Sequence, residues 1–342
     1  MKKIKLSVLL IFIFFASRVF AQQDAQFSHY MFNGLYINPG YTGVEQVLRT
    51  TFISRIQWLD YQATNYNGGA PQSNVLSIST PLKDYKVGIG GFLLYETIGP
   101  MRNVQVNLSV SKYFSVNNGL LSFGANGGIY SQKLDPNYVV VDQSDEIYQY
   151  LIDPGNKVSQ MKPDVNVGIW YEHQKYYAGV SLNHIPRSSF SYGNKKISSK
   201  LTDHLYVTAG YRWKPTYTLD VTPSFIVQSD LNQLTYVFGG LVEYNKKIWV
   251  GINARESFAK RDVSKGGKTI SNDDLIFNIG VNLLKNKHNQ DALRVGYAFD
   301  FVTSGVSAKK RTSHEIMVSY MIPNPWGHGK PPVRTPRYRY EN

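Results

Sequence analysis

The sequence predicts an all-β protein: a transmembrane antiparallel β-barrel of about 14 strands, with short periplasmic turns and longer extracellular loops. Three observations predict it. From about residue 46 onward, apolar and polar residues alternate with period two, the pattern of strands with one apolar and one polar face. Most alternating segments run about 10 residues or slightly more, the length a tilted strand needs to cross a bilayer. Short and long connections also tend to alternate along the chain, as periplasmic turns and outer loops do.

Composition agrees. The 342 residues are 42% apolar and 14% aromatic but only 18% charged, and the mean hydropathy is −0.29. So apolar a chain is not disordered, and so low a hydropathy does not suit a helical membrane protein. There is no Cys, which excludes disulfide scaffolds, thiolate zinc sites, iron–sulfur clusters and Cys nucleophiles.

Residues 1–21 read as a signal peptide. Met1 to Lys5 is basic, and Leu6 to Ala16 is an apolar run too short for the roughly 20 residues of a spanning helix. Cleavage after Ala21 removes Lys2, Lys3, Lys5 and Arg18 and no acid, lowering the net charge from +13 to +9. The remaining basic residues form no helical stripe and the chain is exported, so nucleic acid is not a partner. The expected location is the cell outer membrane, and the lipid bilayer is the first partner.

Residues 22–46 form an N-terminal segment, periplasmic or plugging the barrel. Strands are expected near 47–58, 73–82, 85–96, 102–114, 119–132, 164–173 and 175–184, then 202–214, 217–229, 233–244, 247–257, 274–285, 291–302 and 312–322. The barrel thus covers 47–322. Residues 323–342 hold four prolines beyond Pro323, with Lys330, Arg334, Arg337 and Arg339; such a composition favours an extended arm. An even strand number puts both terminal segments on the periplasmic side.

One face of the strands repeats Val, Ile, Leu, Phe and Tyr, with Tyr85, Tyr95, Trp213 and Tyr244 near strand ends as interface girdles. The other carries Arg49, Arg55, Asp164, Glu172, Arg212, Glu243, Arg255, Arg294, Asp300 and Glu315. Facing lipid, an Arg near the midplane costs about 2–4 kcal/mol. These residues are therefore assigned to the lumen, with ion pairs from Arg49 or Arg55 to nearby acids.

Catalytic patterns fail. His314-Glu315 begins an H-E-x-x-H motif, but Val318 stands in place of the second His, and the pair lies on a strand rather than a helix. Asp142, Asp145, Glu146 and Asp153 make one loop acidic without the spacing of a calcium loop. Gly124 to Gly128 resembles no phosphate loop; strand glycines relieve crowding. No catalytic residue, metal site or cofactor is assigned.

The N-terminal segment is aromatic, with Phe27, Tyr30, Phe32, Tyr36 and Tyr41 among turn signals at Asn33-Gly34 and Asn38-Pro39-Gly40. Leaving these aromatics in water is costly at about 25 cal/mol per Å² of apolar surface. The segment is expected to fold against the periplasmic rim or lower lumen, built around Phe27, Tyr30, Met31 and Tyr36, as a plug or as a partner-docking face.

Gln26, Phe27, Tyr30, Met31, Asn33, Asn38, Pro39 and Gly43 also match, in order and spacing, an N-terminal signature of roughly Gln-Phe-x-x-Tyr-Met-x-Asn followed by Asn-Pro-Ala and a Gly. Gly40 replaces the usual Ala. The chain thereby resembles the PorP/SprF family. The resemblance implies an outer-membrane component of the type IX secretion system, which also supports gliding motility. It implies association with secretion-system proteins or the C-terminal domain of a cognate secreted adhesin, for export or surface anchoring. It carries no catalytic residues. A diffusion porin or specific transporter is the alternative reading, and an outer-membrane enzyme is disfavoured by the missing motifs.

Overall fold

The computed structural model describes residues 24–59, 69–134, 158–192, 197–230, 233–259, 274–283, 292–303 and 312–323. The signal peptide, the acidic loop residues 142, 145, 146 and 153, and the tail from residue 324 lie outside the described residues.

The strands are β1 (Val47–Ile56), β2 (Gln72–Leu82), β3 (Val87–Ile98), β4 (Met101–Val116), β5 (Gly119–Leu134), β6 (Ser159–Glu172), β7 (Tyr176–Asn183), β8 (Ser189–Tyr192), β9 (Ile197–Lys200) and β10 (His204–Tyr211). They continue as β11 (Leu219–Ser229), β12 (Gln233–Tyr244), β13 (Ile248–Ala259), β14 (Asp274–Asn282), β15 (Ala292–Val302) and β16 (Ser313–Pro323). Fourteen of them close a barrel in sequence order, with β7 beside β10 and β16 returning to β1; β8 and β9 form a separate two-stranded sheet. Every pairing is antiparallel, and β1 meets β16 from Val47↔Pro323 to Ile56↔His314. No described helix is long and apolar enough to cross a membrane; the chain crosses with strands.

The alternating faces point as the pattern requires. On β4, Asn103, Gln105, Asn107 and Ser109 are buried inward while Leu108 and Val110 are exposed on the outside. On β15, Arg294, Ala298 and Asp300 face in while Tyr297 and Phe301 face out. Tyr85, Tyr95, Trp213 and Tyr244 are also exposed on the outside. Two short turns carry residues of positive φ, Asn117 (47°) with Asn118 (60°) and Asn245 (50°) with Lys246 (54°). Two consecutive left-handed residues suit the twist of a tight hairpin, and Asn adopts that region readily.

The strand boundaries differ most from expectation in two places. β6 begins at Ser159 and runs through Pro163. β7 pairs only with Val167 to Glu172 of it, so the earlier part of β6 is an edge on that side, where proline is tolerated. The connection from β7 to β10 then turns inward as the β8–β9 hairpin. Phe190, Tyr192 and Leu201 pack there on Tyr130 and Leu134 of β5. Residues 202, 203 and 212–214, expected in the strand, fall outside β10; Trp213 keeps only an isolated bridge to Val221.

Candidate functional site: a filled lumen

Residues 24–46 lie inside the barrel. Their short elements are a 3-10 turn at Tyr30–Phe32, α1 at Gly34–Ile37 and a second 3-10 turn at Pro39–Tyr41. The Asn-Gly and Asn-Pro-Gly signals set these breaks: Asn38 caps the second turn by accepting from Gly40 N. Each piece is too short to stand alone, so packing against the wall holds it.

The expected position needs correction. The segment does not stay at the rim or lower lumen. It starts in the half of the lumen nearest the long loops and descends to the short-turn end, where β1 begins. The leading aromatics pack there on Ile53, Val75, Tyr206, Ile226 and Val237 of the wall.

Near the long loops, Glu315 accepts from the backbone N of both Ser28 and His29, each at 2.7 Å, and from His29 Nδ1 at 2.7 Å. Ser28 Oγ donates to Asp300 at 2.7 Å. Arg55 lies 2.7 Å from Asp300 and 3.4 Å from Glu315; Arg255 lies 3.0 Å from Asp300 and 3.2 Å from Asp274. Two guanidiniums thus face three carboxylates, and close pairing of this kind is the condition under which buried charges are tolerated.

Beside it, Asp24 meets the opposite wall. His184, just past β7, bridges two carboxylates: Nε2 is 2.8 Å from Asp24 Oδ1 and Nδ1 is 2.7 Å from Asp164 Oδ1. Tyr206 donates to Asp24 Oδ2 at 2.7 Å, and His204 Nδ1 is 3.7 Å from Asp24 Oδ1. Burial works against the Asp24 charge, but His184 and His204 outweigh it and hold the carboxyl below the usual range. Burial likewise opposes an imidazolium at His184, and Asp24 and Asp164 overcome it, raising the ring to about 10.

Deeper, Phe27, Tyr30, Met31, Phe32, Tyr36 and Ile37 join one buried cluster with Ile53, Val75, Phe92, Tyr206, Ile226, Val237 and Trp249 of the wall. Tyr36 meets Phe27 and Phe92 edge-on at 5.5 and 5.4 Å, and Tyr30 Oη lies 2.8 Å from Ser224 Oγ. Arg294 lies 4.8 Å over the Phe32 ring and 2.9 Å from Glu243. Arg212 pairs with Glu172 at 2.5 Å, and Arg49 pairs with Glu45.

Residues 38–43 run against the backbone of β3 to β7. Asn38 Nδ2 donates to Ile169 O at 2.9 Å and Val180 O at 3.1 Å, and Ser111 Oγ donates to Thr42 O at 2.6 Å. Two wall glycines permit this approach. A Cβ on Gly124 would stand 2.2 Å from Pro39 O, and one on Gly88 2.1 Å from Thr42 O.

Every expected lumen charge, Arg49, Arg55, Asp164, Arg212, Glu243, Arg294 and Asp300, is buried. So are Phe27, Tyr30, Met31 and Tyr36. His314 and Glu315 point to opposite faces: Glu315 is buried inside, while His314 meets Tyr297 Oη on the outer face at 2.6 Å. Sequence reading missed Asp24, His184 and His204. Their positions make no motif, and only the threaded path of residue 24 brings them together.

Several solved structures share the barrel fold. The CymD monoaromatic hydrocarbon channel is 11% identical, with a TM-score of 0.51 over 84% of this chain and 91% of that one. The TodX deltaS2S3 mutant monoaromatic hydrocarbon channel is 12% identical, with a TM-score of 0.50 over 84% and 94%. The Ralstonia pickettii toluene transporter TbuX is 10% identical, with a TM-score of 0.48 over 84% and 92%. No curated protein matches the sequence. The family model described as type IX secretion system membrane protein PorP/SprF matches residues 19–320.

Proposed function

This chain belongs to the PorP/SprF family of type IX secretion system membrane proteins, and from that premise we propose that its outer-membrane barrel is a closed partner protein rather than a pore. It associates with secretion-system proteins or with the C-terminal domain of a cognate secreted adhesin, for export or surface anchoring. The fold and family are those of a membrane barrel, and the role is non-catalytic. In this reading residues 1–21 are a cleaved leader, 22–46 plug the lumen and help shape a docking face, 47–322 form the barrel, and 323–342 are a periplasmic arm.

One observation carries the proposal: the inserted segment occupies the lumen from the long-loop half to the short-turn end, tied by Glu315 and Asp300 to Ser28 and His29. Removing such ties costs about 3–5 kcal/mol where a buried charge loses its partner. A pore for solutes does not need so strongly held an obstruction.

A second reading has its own support. A small cavity is lined largely by apolar side chains, among them Phe27, Tyr30, Tyr36, Ile37, Ile226 and Val237, and the CymD channel shares the fold. A porin or specific transporter would use such a path.

Two measurements separate them. Crosslinking of the native protein in membranes, followed by purification and mass spectrometry, is expected to recover secretion-system proteins or an adhesin C-terminal domain. Planar-bilayer recordings of the pure barrel are expected to show no stable open state. Stable large pores, with no partner enriched over an unrelated barrel, overturn the proposal in favour of transport.

A further inference from the structure

The geometry points to a divalent transition-metal site, of zinc chemistry, formed by Asp24, His184 and His204 where the inserted segment meets β7 and β10. One ligand atom from each residue lies within 4.8 Å of the others. Asp24 Oδ1 is 2.8 Å from His184 Nε2 and 3.7 Å from His204 Nδ1. Those separations straddle the roughly 3.3 Å between ligand atoms that surround a zinc ion tetrahedrally at about 2.0–2.1 Å. Small side-chain shifts therefore admit the ion.

The surroundings fit the chemistry. Two imidazoles and one carboxylate suit zinc better than calcium or magnesium, which favour oxygen ligands. A metal-bound histidine usually donates its other ring N–H to a carboxylate, and that fixes its tautomer. His184 has this arrangement: Nδ1 is 2.7 Å from Asp164 Oδ1. Asp164 Oδ2 in turn accepts from Gln105 at 2.9 Å and Asn107 at 2.8 Å. Tyr206 fixes the other oxygen of Asp24.

His204 completes the set: it is 1% exposed, and its Nδ1 faces Asp24 Oδ1 at 3.7 Å and Thr202 O at 3.0 Å, so an ion held there takes the ring with its proton on Nε2, away from the metal. Neither Asp24 nor Asp164 meets a lysine or arginine among the described residues; the His184 ring bridges them, and an entering dication displaces the ring proton that faces Asp24 and takes over its balancing charge. The bound ion clamps the start of the inserted segment to the strand ends that flank the β8–β9 hairpin.

The test uses untagged full-length barrel in detergent, stripped with chelator and titrated with zinc chloride. The wild type should take up one zinc per chain by calorimetry and elemental analysis, and cobalt in its place should give the visible absorption of a tetrahedral site. Asp24→Asn and His204→Gln should lose stoichiometric uptake. Asp164→Asn should keep the stoichiometry and bind about 10–100-fold more weakly, as loss of an orienting carboxylate predicts. His173→Gln, on an exposed turn at the opposite end, should match the wild type. Heat-shifted gel migration confirms that each variant is folded. If His204→Gln fails to fold, the Asp164→Asn affinity decides. Wild-type protein without stoichiometric uptake at micromolar free zinc, or unchanged uptake by folded His204→Gln or Asp164→Asn, overturns the site.

Discussion

Along β13 to β16 and β1 the inserted segment is held by charge, whereas along β3 to β7 residues 38–43 are held by shape, the Asp24–His184 pair at the long-loop end of that wall apart. The first wall offers Arg55, Arg255, Asp300 and Glu315 to Ser28 and His29. The second offers glycines and backbone carbonyls to Asn38 and its neighbours. The ionic wall is intolerant of losing a partner, because the survivor stays buried and unpaired. The shaped wall is intolerant of added atoms, because the backbone it faces cannot yield. Between them lies the apolar cluster of Phe27, Tyr30, Met31 and Tyr36, to which both walls contribute.

The sharpest way to break both attachments at once is to empty that middle layer. The triple variant Phe27→Ala, Tyr30→Ala, Met31→Ala removes side chains whose single truncations cost about 2–5 kcal/mol each in a packed core. The expected outcome is a segment open to protease, with the barrel still giving heat-shifted migration, and reduced partner recovery from membranes. Normal barrel abundance with lost recovery points to docking; loss of both points to a structural plug. Unchanged abundance, cargo export and recovery would show that the segment is dispensable.

Next in size is the ionic wall alone. Glu315→Ala strips acceptors from two backbone N–H groups and from Arg55. Denaturant unfolding in detergent should show a loss of about 3–5 kcal/mol. Protease should reach residues near Ser28 before those near Asn38. Simultaneous exposure of both ends would mean the two walls act as one unit and would break the comparison.

The shaped wall answers to the opposite kind of change. Gly124→Val inserts a side chain where Pro39 O would lie 2.2 Å from its Cβ. Overpacking of this kind costs about 1–3 kcal/mol. Cleavage should now begin near Asn38 while the Ser28 end stays protected. Gly127, whose Cβ would meet nothing within 4 Å, is the matched control: Gly127→Ala should leave protease resistance unchanged.

Much of the barrel was legible because strand alternation is a local property. Asn103, Gln105 and Asn107 against Leu108 and Val110 state their faces without knowledge of any neighbour. The inward charges followed by the same logic, since Arg294 and Asp300 lie on the face opposite Tyr297 and Phe301. The β6 boundary was not legible: Pro163 looks like a stop unless one knows that β7 leaves that edge unpaired. The path of residues 24–43 was hidden for a related reason. Its contacts join residues far apart in sequence, as Ser28 with Asp300 and Asp24 with His184, and no period within the segment encodes them. Gly124 reads only as relief of strand crowding until Pro39 is placed against it, and nothing in the sequence marks Gly88 until Thr42 is placed against it.

The smallest change tests whether the middle layer has a polar element of its own. Tyr30 Oη and Ser224 Oγ are 2.8 Å apart, a link from the segment to β11, which belongs to neither wall. Tyr30→Phe keeps the ring and removes the hydroxyl. A neutral hydrogen bond contributes about 0.5–1.5 kcal/mol net, and the Ser224 hydroxyl left behind adds a desolvation cost unless it finds another acceptor. The expected outcome is a small drop in unfolding free energy, with protease protection kept at both Ser28 and Asn38. Ser224→Ala should cost a similar amount, and the double variant should cost less than the sum of the two, because the same bond is lost only once. Full additivity in that cycle would mean the hydroxyls do not interact, leaving the segment attached through its charged and shaped walls and the apolar packing between them.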